Sequence, residues 1–95
     1  MKNIEKCLKE MITWVKTDPS ASKAEGEIKS FNNIYFMIFV REGKFNKSNL
    51  DEDQTGVYNG VRYVREQPDF SIYYKGLEYF FGYQDPNADW AALEE

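Results

Sequence analysis

A chain of 95 residues with 42% hydrophobic and 29% charged side chains can bury one core but not two, and its composition excludes a disordered chain. Cys7 is its only cysteine, which excludes an intramolecular disulfide scaffold, and histidine is absent, which removes the commonest general base and metal ligand. No run reaches membrane-spanning length, and Met1–Lys6 lacks the apolar core of a secretory leader. The expectation is a single cytoplasmic domain over residues 1–95 with no membrane contact.

Charge is divided unevenly. The net charge is −4, with nine Lys or Arg against six Asp or Glu over residues 1–47 and three against ten over 48–95, giving +3 and −7. An acidic C-terminal half repels nucleic-acid phosphate and favours a basic protein partner. Seven Tyr, seven Phe and two Trp exceed what a core of this size needs, so some rings are expected at the surface.

Residues 3–17 read as an amphipathic helix: Ile4, Cys7, Leu8, Met11, Ile12 and Val15 recur at helical spacing on one stripe, with Asn3 as the N-cap. Trp14 falls on the flank of that stripe, at its rim. Pro19 ends the helix, and Asp18-Pro19 is a start signal for either a short second helix or a loop before Gly26. Ile34–Val40 is the only long uncharged apolar run, and its lack of alternation reads as a strand buried on both faces. Asn32-Asn33 connects it to Ile28–Phe31 as a hairpin, with a single bulged strand as the competing reading.

Residues 44–54 form a polar loop. Asn59-Gly60, between Val57-Tyr58 and Val61–Val64, is a strong hairpin signal, and Lys75-Gly76 turns Phe70–Tyr74 into Leu77–Tyr83. Asp85-Pro86 opens a short C-terminal helix that Trp90 and Leu93 dock onto the sheet. The fold class is therefore α+β: an antiparallel meander sheet of four to five strands, packed by the N-terminal amphipathic helix and a short C-terminal helix.

Little in the sequence carries catalysis. Cys7 sits on the apolar stripe, where a small buried thiol is expected rather than a nucleophile. Asp51-x-Asp53-x-Thr55-Gly56 resembles the opening of an EF-hand calcium loop, but its last ligand position is occupied by Arg62, a cation where a carboxylate is required. Leu50-Asp51-Glu52, Gly56-Val57-Tyr58-Asn59-Gly60, Val61-Arg62-Tyr63 and Pro68 resemble the middle of a CAP-Gly domain over a quarter of the chain; the upstream glycines and tryptophan of that family are missing, and no binding residues carry over. No enzyme activity, cofactor or metal is expected.

The aromatic hairpin remains. Alternation places Phe70, Ile72 and Tyr74 on one face of their strand, and Leu77, Tyr79, Phe81 and Tyr83 on one face of the next. Rings that stack, surrounded by carboxylates, suit docking of Lys or Arg side chains. The reading is a non-enzymatic protein-binding module that occludes a basic partner, with Tyr73, Tyr79, Phe81, Tyr83, Asp51, Glu52, Asp53 and Asp85 in the contact. Small inhibitors, immunity proteins, antitoxins and phage-encoded antagonists of host defence share this size and charge. The alternative is a small-ligand binder stacking a nucleotide or sugar in a tyrosine-lined pocket. A homodimer is also expected, closed through Tyr73, Tyr79, Phe81 or Tyr83.

Overall fold

The computed structural model describes residues 3–46, 54–66 and 69–84. One helix, α1 (Asn3–Thr17), packs on one face of a six-stranded antiparallel sheet formed by β1 (Glu25–Phe31), β2 (Ile34–Glu42), β3 (Thr55–Tyr58), β4 (Val61–Glu66), β5 (Asp69–Tyr74) and β6 (Leu77–Tyr83). The α+β class is as expected, but the sheet has six strands rather than four or five. The helix expected after Asp85 lies outside the described residues. No described helix is long and apolar enough to cross a membrane.

The sheet order is β1-β2-β6-β5-β4-β3, so a simple meander does not describe it. β3 to β6 do meander, and β6 then returns to pair with β2, so the chain must pass from β2 to the far edge before β3 begins. Phe45 marks that passage: its ring meets Tyr73 of β5 edge-on at 5.7 Å and lies under the Arg62 guanidinium of β4 at 4.7 Å. Both partners point away from α1, so the chain leaves β2 onto the outer face of the sheet.

Three hairpins close through two-residue turns whose central residues all have positive φ: Asn32-Asn33 (50° and 63°), Asn59-Gly60 (51° and 77°) and Lys75-Gly76 (49° and 79°). That pair of angles is the type I′ turn, whose twist matches that of the flanking strands. Between α1 and β1, the Asp18 carboxylate accepts the Ser20 N–H at 2.9 Å and the Ser20 hydroxyl at 2.7 Å, which turns the chain into a single 3₁₀ turn, Ala21–Lys23. The two hydrogen bonds from Ser20 hold the Asp18 carboxyl below the usual range.

The core lies between α1 and the inner sheet face. Cys7, Leu8, Met11, Ile12 and Val15 descend onto Phe36, Ile38, Phe70, Ile72, Tyr79 and Phe81. Trp14 is deeper than a rim position: it is 8% exposed, with Phe31 and Phe81 against it at 5.9 and 6.1 Å in edge-to-face geometry. Its indole N–H reaches the Asp18 carboxylate at 3.1 Å, which lets so large a ring be buried without stranding a donor. Each fully buried Phe contributes about 1.5–3 kcal/mol of apolar burial.

Candidate interaction surface

β2 is not buried on both faces. Phe36 and Ile38 point into the core, whereas Tyr35 and Phe39 are 55% and 46% exposed on the outer face. The strand lacks alternation in sequence because it carries apolar residues on its solvent side as well. Ile28 of β1, opposite Met37 in the β1–β2 register, is 60% exposed beside them. Phe80 of β6, opposite Phe39, completes a patch spanning three strands. Scattered single apolar residues are ordinary at a surface; five adjacent ones on one sheet face are not.

Two glycines lie beside rings of this patch. Gly26, at φ 81°, forms the β1 bulge, and a Cβ there would lie 3.6 Å from Cε1 of Phe39. Gly82 stands opposite Met37, and a Cβ there would lie 3.3 Å from Cε1 of Phe80. Each phenyl ring therefore lies beside a backbone position that carries no side chain.

A polar cluster bounds the patch at the end where β2 finishes. Arg41 Nε donates to Glu78 Oε1 at 2.9 Å, and the Tyr73 hydroxyl donates to Glu78 Oε2 at 2.9 Å. Burial, reinforced by the Glu78 charge, pushes the Tyr73 phenol up to about 12. The Arg41 charge is neutralised by Glu78, and exposed Glu25 lies opposite Phe39 in the register. At the other end, the Gln84 N–H donates to the Tyr35 carbonyl at 3.0 Å, so the chain leaves the sheet beside the patch. The sequence that follows, residues 85–95, carries four carboxylates and no cation.

The residues expected to bind a partner separate into distinct environments. Tyr79 and Phe81 are 3% and 0% exposed and belong to the core beneath α1. Tyr83 is half-buried on that same inner face, edge-on to Phe36 at 5.9 Å. Tyr73 alone reaches the outer face, where Glu78 holds its hydroxyl. Asp51, Glu52, Asp53 and Asp85 lie outside the described residues. Alternation gave the parity of β5 and β6 correctly, but it could not tell which parity meets the helix. Ile28, Tyr35 and Phe39 were missed because the apolar run containing two of them reads as interior.

Cys7 is a buried thiol, its Sγ–H directed at the Phe31 carbonyl at 3.4 Å, with burial raising its pKa to about 11. A tyrosine-lined groove does exist between α1 and β3, walled by Leu8, Val57, Tyr58 and Tyr63, but at about 200 Å³ it is smaller than the 300–1,000 Å³ (roughly) of small-molecule sites. Lys9 occupies its mouth, with its amine 5.6 Å from the Tyr58 ring. The chain matches no family model, no curated protein and no solved structure.

Proposed function

We propose that this chain is a non-enzymatic binding protein that occludes a basic protein partner with the outer face of its sheet, in the manner of small inhibitor or immunity proteins. The observation that carries the reading is the contiguous exposure of Ile28, Tyr35 and Phe39, with Met37 and Phe80 between them. A flat apolar patch on a rigid sheet suits a macromolecule better than a small ligand, which needs a concave site. The sign of the partner follows from the sequence, whose residues 48–95 carry three Lys or Arg against ten Asp or Glu. Beside Phe39 the described charges are Glu25, Lys23 and the Arg41–Glu78 pair, so the local rim is balanced. A basic partner with exposed Arg or Lys would dock its apolar stems on the rings and its charges on the acidic C-terminal half.

The test is capture from the native cell with the wild-type chain and with Phe39→Glu, followed by titration of the purified captured protein. The expected result is a basic protein whose affinity falls at least about tenfold with Phe39→Glu, as at an interface hot spot, and also falls as salt is raised. A captured protein that binds Phe39→Glu equally well, or whose binding ignores salt, overturns this assignment.

A further inference from the structure

β1 ends the sheet, and its free edge has a definite pattern. The two-residue turn at Asn32-Asn33 makes Phe31 and Ile34 the first hydrogen-bonded pair, so Lys29 with Phe36 and Glu27 with Ile38 follow in phase. The backbone N–H and C=O of Ile28 and Ser30 consequently point away from β2. The bond from Gln84 to the Tyr35 carbonyl confirms this phase, since Tyr35, opposite Ser30, directs its own groups to β6. Among the described residues nothing bonds to that outer row. Beside it lies an open groove of about 470 Å³ between α1 and β1, lined by Glu10, Thr13, Trp14, Thr17 and Lys29.

The side chains of β1 select which strand. An antiparallel copy of β1 centred on Ile28 would hydrogen-bond Ile28 to its own counterpart and place Glu27 opposite Lys29 twice over. Slipping the register by two residues (about the smallest step that keeps the hydrogen bonds in phase) puts either Lys29 against Lys29 or Glu27 against Glu27, which costs stability. One register therefore pairs opposite charges and both of its neighbours pair like ones. Glu27 makes no ion pair among the described residues, and the Lys29 amine lies 5.7 Å from the Trp14 ring on the same inner face. On the outer face, the two Ile28 side chains, each 60% exposed alone, would meet and cover part of one another. The Gly26 bulge ends the straight part of the edge, and a two-fold axis at Ile28 maps Glu27 onto Lys29, so Glu27–Lys29 is the segment that pairs.

We propose that β1 pairs antiparallel with β1 of a second copy of this chain across a two-fold axis at Ile28, joining two six-stranded sheets into one of twelve, with Glu27 and Lys29 exchanging ion pairs across the junction. The pairing uses the sheet edge and shares only Ile28 with the proposed partner-binding face, leaving Tyr35 and Phe39 open. It also joins the two outer faces into a continuous apolar surface.

The test is the mass in solution, by light scattering at high micromolar concentration, of the wild-type chain, Glu27→Lys, Lys29→Glu and their equimolar mixture. The wild type is expected at twice the 11.2 kDa chain mass. Each charge variant alone faces like charges and drops to the chain mass with an unchanged far-UV spectrum. The mixture regains the doubled mass, because the paired positions are both lysine in the first variant and both glutamate in the second. A monomeric wild type, a charge variant that stays dimeric on its own, or a mixture that stays monomeric overturns the pairing. Should a charge variant lose its fold, Ile28→Pro removes the outward N–H at the axis itself, at a position where an edge strand tolerates proline; it is expected to be monomeric, and a dimer there also overturns the pairing.

Discussion

The Tyr73 hydroxyl and Glu78 are joined across the β5–β6 ladder by a 2.9 Å hydrogen bond in which the phenol donates. Donation requires the protonated phenol, and burial together with the Glu78 charge raises its pKa from 10.0 to about 12. Because the folded value lies above the unfolded one, this contribution to stability is fully present below pH 10.0 and is lost as the pH rises through about 12. The expected result is that wild-type protein loses denaturant resistance across that window while Tyr73→Phe loses less. Spectrophotometric titration of Glu78→Gln should find the phenol lowered but still above its ordinary value, since burial is the largest cause.

Lys75 occupies the first central position of the β5–β6 turn at φ 49°, a conformation that glycine and asparagine adopt far more readily. Its amine gains a contact with the Tyr74 ring at 5.3 Å. Relief of the backbone strain is worth about 1 kcal/mol, whereas an exposed cation–π contact contributes about 0.5 kcal/mol. Lys75→Asn should therefore raise the melting temperature by roughly 2–4 °C in a chain of this size. An unchanged or lowered melting temperature would show that the ring contact outweighs the strain.

Local signals in the sequence were legible where one physical cause dominated. The Cys7–Val15 stripe placed α1, and the Asn32-Asn33, Asn59-Gly60 and Lys75-Gly76 pairs marked three tight turns among the described residues, because positive φ has few suitable residues. Strand order was not legible, since pairing of β6 with β2 depends on contacts between segments about 40 residues apart. Nor was the face of each strand. β6 carries rings on both sides, Tyr79 and Phe81 inward and Phe80 outward, so apolarity could not say which side α1 covers. The same ambiguity hid the outer patch, where Tyr35 and Phe39 are as apolar as the buried Phe36 and Ile38.

Gly56 sits opposite Tyr63 in the β3–β4 ladder, and the ring of Tyr63 lies directly over it. A Cβ on Gly56 would come within 2.8 Å of Tyr63 Cε2 and closer still to its hydroxyl oxygen, so any side chain displaces the ring. Gly56→Ala should lower unfolding free energy by about 1–3 kcal/mol, the usual range for overpacking. Combined with Tyr63→Ser, which makes room, Gly56→Ala should cost much less than it does alone, and chemical denaturation of the four proteins measures that coupling. Full additivity would mean that the ring does not depend on the glycine.

Cys7 gives a direct probe of whether α1 stays docked. Its side chain is fully buried, its Sγ–H is directed at the Phe31 carbonyl at 3.4 Å, and burial raises its pKa from 9.0 to about 11. At neutral pH that rise alone lowers the thiolate fraction about 100-fold, and the thiolate is the species that reacts with alkylating reagents. Exclusion of the reagent by Met11, Ile12 and the sheet slows it further. The raised value also means that stability from this group is intact below pH 9.0 and declines as the pH rises toward about 11. Labelling of the native protein should therefore be slow at neutral pH and should accelerate in denaturant in step with the loss of helical signal, because the opening that exposes Cys7 is the one that lifts α1 from the sheet. Prompt labelling without denaturant would show that α1 leaves the sheet far more easily than its buried stripe implies, and would remove the basis for a rigid scaffold behind the outer face.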